Sequence, residues 1–211
     1  VTYGSLTALD SVVRIGPQGG PSNGILEAEW VASGPHGRLE FSNTITENVG
    51  TLRLLGGQAT SNGVDLLQVL ETNRGTLEFG QGFYEISRLG GTAFSNQGTV
   101  IATDGGSVRF GGHLANAEQG ALVGGTWQAE GTIVIDEQIH RNEAELIVLG
   151  NNSDIVFGNE SLFDALTDNA GSITVAGRNA MFTRPFHNAG TLAIQGGTLD
   201  LGTSTNVNQG V

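Results

Sequence analysis

Apolar and polar residues alternate in short runs along this chain, most of them four or five residues long. Thr76-Leu77-Glu78-Phe79 and Thr198-Leu199-Asp200-Leu201 are examples. A period of two puts the apolar side chains on one face and the polar ones on the other, which predicts half-buried β-strands. Most runs are opened by the same phrase: Asn, any residue, Gly or Ala, then a small or polar residue. It stands at Asn48-Val49-Gly50-Thr51, Asn73-Arg74-Gly75-Thr76 and Asn96-Gln97-Gly98-Thr99. It returns at Asn142-Glu143-Ala144-Glu145, Asn169-Ala170-Gly171-Ser172 and Asn188-Ala189-Gly190-Thr191, with weaker starts at Asn23, Asn116 and Asn208. The steps between successive starts are 25, 25, 23, 20, 26, 27, 19 and 20 residues.

A unit of this length, with two or three short strands and no long helical period, predicts one coil of a parallel β-solenoid. The chain is thus expected to be all-β, a single continuous solenoid over residues 1–211 of about nine coils of 19–27 residues. Asn at each corner has a physical rationale. It tolerates left-handed backbone, and stacked copies can hydrogen-bond along the axis as a ladder. The Gly-Gly pairs, such as 56–57 and 124–125, are expected to break strands where the backbone takes positive φ.

A longer period overlies the short one. Trp30 and Trp127 are 97 apart, Asn48 and Asn142 are 94 apart, Asn73 and Asn169 are 96 apart, and Asn96 and Asn188 are 92 apart. Copies of about 94 residues, four coils each, are therefore expected near 1–95, 96–187 and, in part, 188–211. Two Leu-rich segments, 65–71 and its counterpart 161–167, predict either a short helical turn or a bulged corner over the core. The chain starts without Met and stops at a phrase that opens a strand elsewhere, so it is read as an excerpt of a longer polypeptide.

Composition narrows the function. Nine Arg and no Lys stand against 21 Asp and Glu, a formal net charge of −12, which repels phosphate and argues against a nucleic-acid partner. No apolar run approaches the roughly 18 residues of a transmembrane helix. Cys is absent, so disulfides, Cys-bound metals and thiol catalysis are excluded. The 34 Gly follow no collagen period, and their fixed places in repeating units speak against disorder.

The run Asn188-Ala189-Gly190-Thr191-Leu192-Ala193-Ile194-Gln195-Gly196-Gly197-Thr198-Leu199-Asp200-Leu201-Gly202 resembles the glycine-rich β-solenoid repeats of large bacterial surface proteins, the autotransporter passenger regions and filamentous-haemagglutinin-like adhesins. Gly124-Gly125-Thr126-Trp127 followed by Gly131-Thr132-Ile133-Val134-Ile135 is similar to the same class. The resemblance implies a right-handed parallel β-helix, export, and an extracellular or cell-surface role as a fibre or stalk. Self-association along the axis and contact with neighbouring repeats would follow. An adhesin that binds glycan or another cell through a solenoid face is the alternative, and a polysaccharide-active enzyme the third reading. The class supplies no catalytic residues.

The residues themselves offer few sites. His36, His113, His140 and His187 lack metal-ligand spacing and do not recur between copies. Asp136, Glu137 and Asp154 belong to the densest group of carboxylates and are weak candidates for calcium, the one cofactor considered, although the Gly-Gly-x-Gly-x-Asp calcium repeat is absent. No catalytic cluster and no phosphate loop ending in Gly-Lys-Ser/Thr is present, so the chain is expected not to be an enzyme. Trp30 and Trp127 are candidates either for sugar stacking or for core anchors. Thr203-Ser204-Thr205 is the one segment resembling an ice-binding Thr ladder.

Overall fold

The computed structural model describes residues 4–16, 21–88, 91–103, 105–201 and 207–208. The fold is a parallel β-solenoid. Its longest sheet stacks Ser5–Leu9, Glu29–Ser33, Thr51–Leu55, Thr76–Gly80, Thr99–Ala102, the end of Ala121–Ala129, the end of Arg141–Leu149, Ser172–Ala176 and Thr191–Gln195. These are nine rungs, all parallel. In seven coils the long strand is followed by a full second strand: Val12–Ile15, Arg38–Phe41, Gln58–Ser61, Gly82–Ser87, Gly106–Gly111, Thr132–Ile135 and Asp154–Phe157. Among the described residues the last two coils have Ala180–Met181 and Leu199–Asp200 on that side. Thr203–Thr205, Asp104 and Gly90 lie outside the described residues.

Alternation does what a period of two requires. On the long strands the inward column runs Leu6, Trp30, Leu52, Leu77, Val100, Trp127, Leu146, Ile173 and Leu192. The next inward column runs Ala8, Ala32, Leu54, Phe79, Ala102, Ala129, Val148, Val175 and Ile194. Size is balanced within a coil: each Trp shares its strand with an Ala two positions on, Ala32 for Trp30 and Ala129 for Trp127. The room left is filled by aromatic rings from the second strands. Trp30 meets Phe41 edge-on at 5.0 Å, and Trp127 meets Phe110 at 5.1 Å. Such pairs fill a narrow core while satisfying ring quadrupoles. One polar side chain in this core, Ser61, has a structural task. Its Oγ accepts from Ile45 N at 2.7 Å and donates to Asn43 O at 3.2 Å.

Outward columns carry the charge, and the arginines bind coil to coil. Arg53 contacts Glu29 on one neighbouring rung at 2.9 Å and Glu78 on the other at 2.8 Å. Arg14 reaches Glu40, and Arg109 holds both oxygens of Asp136. Exposed pairs of this kind add little each, about 0–1 kcal/mol. Their role is to keep like charges from stacking directly over one another.

The second sheet is interrupted at a fixed place in each copy. After Gln58–Ser61 the chain turns back through an antiparallel hairpin to Val64–Asp65 and enters the helical turn Leu66–Val69. After Asp154–Phe157 it repeats the excursion through Glu160–Ser161 and Leu162–Ala165. The Leu-rich segments are thus short helical turns, with Leu66, Leu67, Phe163 and Ala165 closing the core from above. Asp65 caps the first turn, its Oδ1 accepting from Leu67 N at 2.9 Å. The period itself changes within a copy. It is 94 from Thr51 to Glu145 and 96 from Gln58 to Asp154, because Gly56-Gly57 is matched by the longer turn Gly150-Asn151-Asn152-Ser153.

Glycine has two separate uses here. At the pair Gly56-Gly57, Gly56 takes φ 82°, as the strand break requires. The Gly of the Asn-x-Gly phrase does not need positive φ; it is needed because coils touch there. A Cβ on Gly75 would lie 1.9 Å from Gly50 O, and one on Gly98 would lie 2.2 Å from Gly75 O. Ala144 takes this place in one coil. Beneath it the ladder shifts register at Gly124-Gly125, both at positive φ, which removes the backbone a Cβ would strike.

Replacing Gly75 by Ala is therefore expected to destabilise the fold by about 1–3 kcal/mol, the usual cost of overpacking. Gly16→Ala, with no described residue within 4 Å of the added carbon, should stay within roughly 0.5 kcal/mol of the parent. Urea unfolding of the two variants gives the comparison.

Candidate functional site

The corner asparagines lie in two-residue strands that stack in register: Thr72–Asn73 between Glu47–Asn48 and Ser95–Asn96, and Asp168–Asn169 between the start of Arg141–Leu149 and His187–Asn188. Their backbone is not left-handed. Positive φ among non-glycine residues falls instead on Asp10, Asn23, Asn62, Gln81 and Gln119. What the corner uses is the amide side chain, because all six asparagines are buried. Asn48 Nδ2 donates to Asn73 Oδ1 at 2.7 Å, and Asn73 Nδ2 to Asn96 Oδ1 at 2.8 Å. Asn142 donates to Asn169 at 2.8 Å and Asn169 to Asn188 at 2.6 Å. The same amides also donate to the main chain of the next coil, at Thr76 O, Thr99 O, Ser172 O and Thr191 O. A buried primary amide is costly unless its protons and lone pairs are used, and here each rung supplies its neighbour.

Two runs of this ladder each begin on a leucine. Leu26 pairs with Asn48, and Leu122 pairs with Asn142. Asn23, the sequence-level start of its coil, sits instead in an exposed turn at φ 59°. A leucine donates nothing, so Asn48 Oδ1 is buried without a hydrogen-bond partner. Asn142 solves the same problem locally by accepting from Ala144 N at 3.0 Å. Asn116 does not stack as a rung; it crosses to Asn96, accepting from Asn96 N at 2.7 Å and donating to Asn96 O at 2.8 Å.

The other predicted residues are not brought together. Asp136 is held by Arg109, Glu137 Oε1 accepts from Leu114 N at 3.0 Å, and Asp154 accepts from Ser161 Oγ at 3.0 Å. Among the described residues no group of three or more His, Asp or Glu gathers closely enough to hold a metal ion, and these three carboxylates turn to separate partners. His36, His113 and His140 are exposed, and His187 Nδ1 lies 3.7 Å from Asp168. Trp127 is wholly buried and its indole N–H donates to Gly124 O at 3.2 Å, which makes it a core anchor rather than a sugar platform. Trp30 packs against the same core, half-buried.

One concave site went unnoticed in the sequence. Beside the first helical turn, the hairpin and the strand Gly82–Ser87 enclose a groove of about 340 Å³. Its walls include Gln58, Asp65, Gln68 and Glu85, and Phe83 stands at its mouth with 63% of its surface exposed. Tyr84 is fixed in the wall: its hydroxyl accepts from Gly56 N at 2.7 Å and donates to Gly80 O at 3.2 Å. Burial pushes the Asp65 carboxyl above its ordinary range, partly opposed by the hydrogen bond from Leu67 N. Asp154 is raised for the same reason, burial outweighing its Ser161 hydrogen bond and the attraction of Arg178.

No helix among the described residues is long and apolar enough to cross a membrane. No family model, curated protein or solved structure matches the chain.

Two outcomes follow. Asn73→Ala removes the acceptor of one Asn48 donation and leaves Asn96 Oδ1 with only the longer bond from Gly98 N, and should cost about 1–3 kcal/mol, whereas Leu26→Asn, which offers Asn48 Oδ1 its missing donor, should be tolerated within about 1 kcal/mol; denaturant midpoints decide both. For Asp154 the folded pKa exceeds the unfolded one. Its stabilising contribution is complete below about pH 4 and is lost as pH rises through the folded value. From pH 4 to pH 7 the melting temperature of Asp154→Asn should rise relative to that of the parent.

Proposed function

We propose that this chain is a spacer segment of an extracellular fibre or stalk on a bacterial surface, without catalytic activity of its own. The observation that carries the reading is the nine-rung sheet in parallel register, held from inside by the asparagine ladder. Each coil contacts only its neighbours, so length grows by adding coils while the cross-section stays constant. At ~4.8 Å per rung a four-coil copy advances ~19 Å.

Three further features support it. Buried amides joined coil to coil resist bending and sliding at the corner. The second-sheet interruption recurs in each copy without disturbing the long sheet, so a long chain could be assembled from identical parts. The surplus of acids over arginines keeps neighbouring fibres apart through like charge. A cell-surface location rests on the resemblance of the Asn-Ala-Gly-Thr-Leu repeats to those of large bacterial surface proteins. Self-association is then axial, strand edge to strand edge between successive repeats.

Chains carrying two, four and six tandem copies of residues 1–95 should show a maximum dimension in small-angle X-ray scattering that rises by ~19 Å per copy at constant cross-sectional radius. A dimension that grows only as the cube root of mass would overturn the spacer reading.

A further inference from the structure

The wall positions of the groove recur 96 residues further on, and there an arginine side chain lies across them. Gln58–Ser61, Val64–Asp65, Leu66–Val69 and Thr76–Gly80 correspond to Asp154–Phe157, Glu160–Ser161, Leu162–Ala165 and Ser172–Ala176. On this register Gly82 corresponds to Arg178, and Gln81 at φ 57° to Gly177 at φ 69°. The Arg178 side chain enters the second groove. Its guanidinium lies 5.1 Å from the centre of the Phe163 ring and donates to Ser153 O. It also sits close enough to Asp154 to attract its carboxylate. In the first copy residue 82 has no side chain, and the groove stands open.

We propose that the open groove beside Phe83 binds an arginine side chain presented by a partner peptide, as the second groove holds Arg178. The electrostatic setting is conserved in amount though not in position. The second site has Asp154 and Asp164 where the first has Gln58 and Gln68; the first has Asp65 and Glu85 where the second has Ser161 and Met181. Each set of corresponding positions thus carries two carboxylates, of which Asp164 accepts from Thr183 Oγ1. The aromatic face also moves: Leu67 replaces Phe163 at the floor, while Phe83 at the mouth replaces Asn179. Guanidinium stacks on aromatic faces and forks onto carboxylates and carbonyls, which a lysine ammonium does less well. Arg109, on the rung beside Glu85 and attracted by it, gives its hydrogen bonds to both oxygens of Asp136. The acidic chain as a whole draws cationic segments toward it. This binding function is independent of the spacer reading and would hold for a chain of any length.

The test is a titration of the ¹⁵N-labelled chain with the blocked tripeptides Gly-Arg-Gly and Gly-Lys-Gly and with the disaccharide cellobiose. The Arg peptide is expected to shift the amide signals of Gln58, Gln68 and Glu85, with the Lys peptide at least roughly fivefold weaker. Glu85→Gln should weaken the Arg peptide by roughly fivefold. Arg178→Gly should open a second site, seen as new shifts at Asp154 and Phe163. Equal affinity for the two peptides, binding of cellobiose in preference to either, or no shift at these residues would each overturn the proposal. Failure here leaves the scattering dimension of tandem copies unchanged, so the two readings fall separately.

Discussion

Everything in this molecule depends on how closely one coil is set on the next at the Asn-x-Gly corner. The main chains there approach until the carbonyl of one glycine occupies the space a Cβ would need on the glycine above. That contact fixes both the residue type and the axial register. With the corner fixed, the neighbouring position faces inward, where a short side chain that both donates and accepts along the axis can join one coil to the next. Asparagine meets that demand, and the long strands on either side inherit its register. The exception at Ala144 follows the same physics: a larger residue is admitted only where the backbone beneath has bulged aside.

The core is governed by a second constraint, the fixed width between two sheets. Bulk added in one column has to be taken out of another in the same coil. Trp beside Ala on one strand, with an aromatic ring opposite, is the solution reached twice, at Trp30 and at Trp127. The outer surface is freer, because water tolerates most side chains. There charges of opposite sign are brought together across rungs: Arg53 stands opposite Val31 on one side and Glu78 on the other, and reaches Glu78 directly and Glu29 diagonally.

Much of this fold is legible in the sequence because a repeated constraint leaves a repeated mark. Alternation gave the strands, Asn-x-Gly the corners, and the Leu-rich segments the helical turns. The ladder's partners could be foreseen from stacking; its extended backbone could not, since asparagine's tolerance of positive φ is used elsewhere, at Asn23 and Asn62. The missing rung was hidden because Asn23 and Leu26 compete for the same corner and only register separates them. The groove was harder still. Its walls come from residues 56–87 across two coils, and the meaning of Gly82 emerges only beside Arg178, behind a two-residue insertion in the turn at 150–153. Carboxylate density along the chain does not carry over into space: residues close in sequence, such as Asp136 and Glu137, turn to different partners.

The leucine that opens each run of asparagines gives the solenoid a frame. A column of identical amides would be satisfied in any vertical alignment, so a growing or refolding chain could pair a coil with the wrong neighbour and pay almost nothing. Leu26 and Leu122 break that degeneracy. A slip that sets another corner on Leu122 loses the local contact by which Asn142 Oδ1 accepts from Ala144 N, at about 1–3 kcal/mol for each orphaned group. The apolar rung thus acts as punctuation, marking once in every four coils where the reading of the repeat begins.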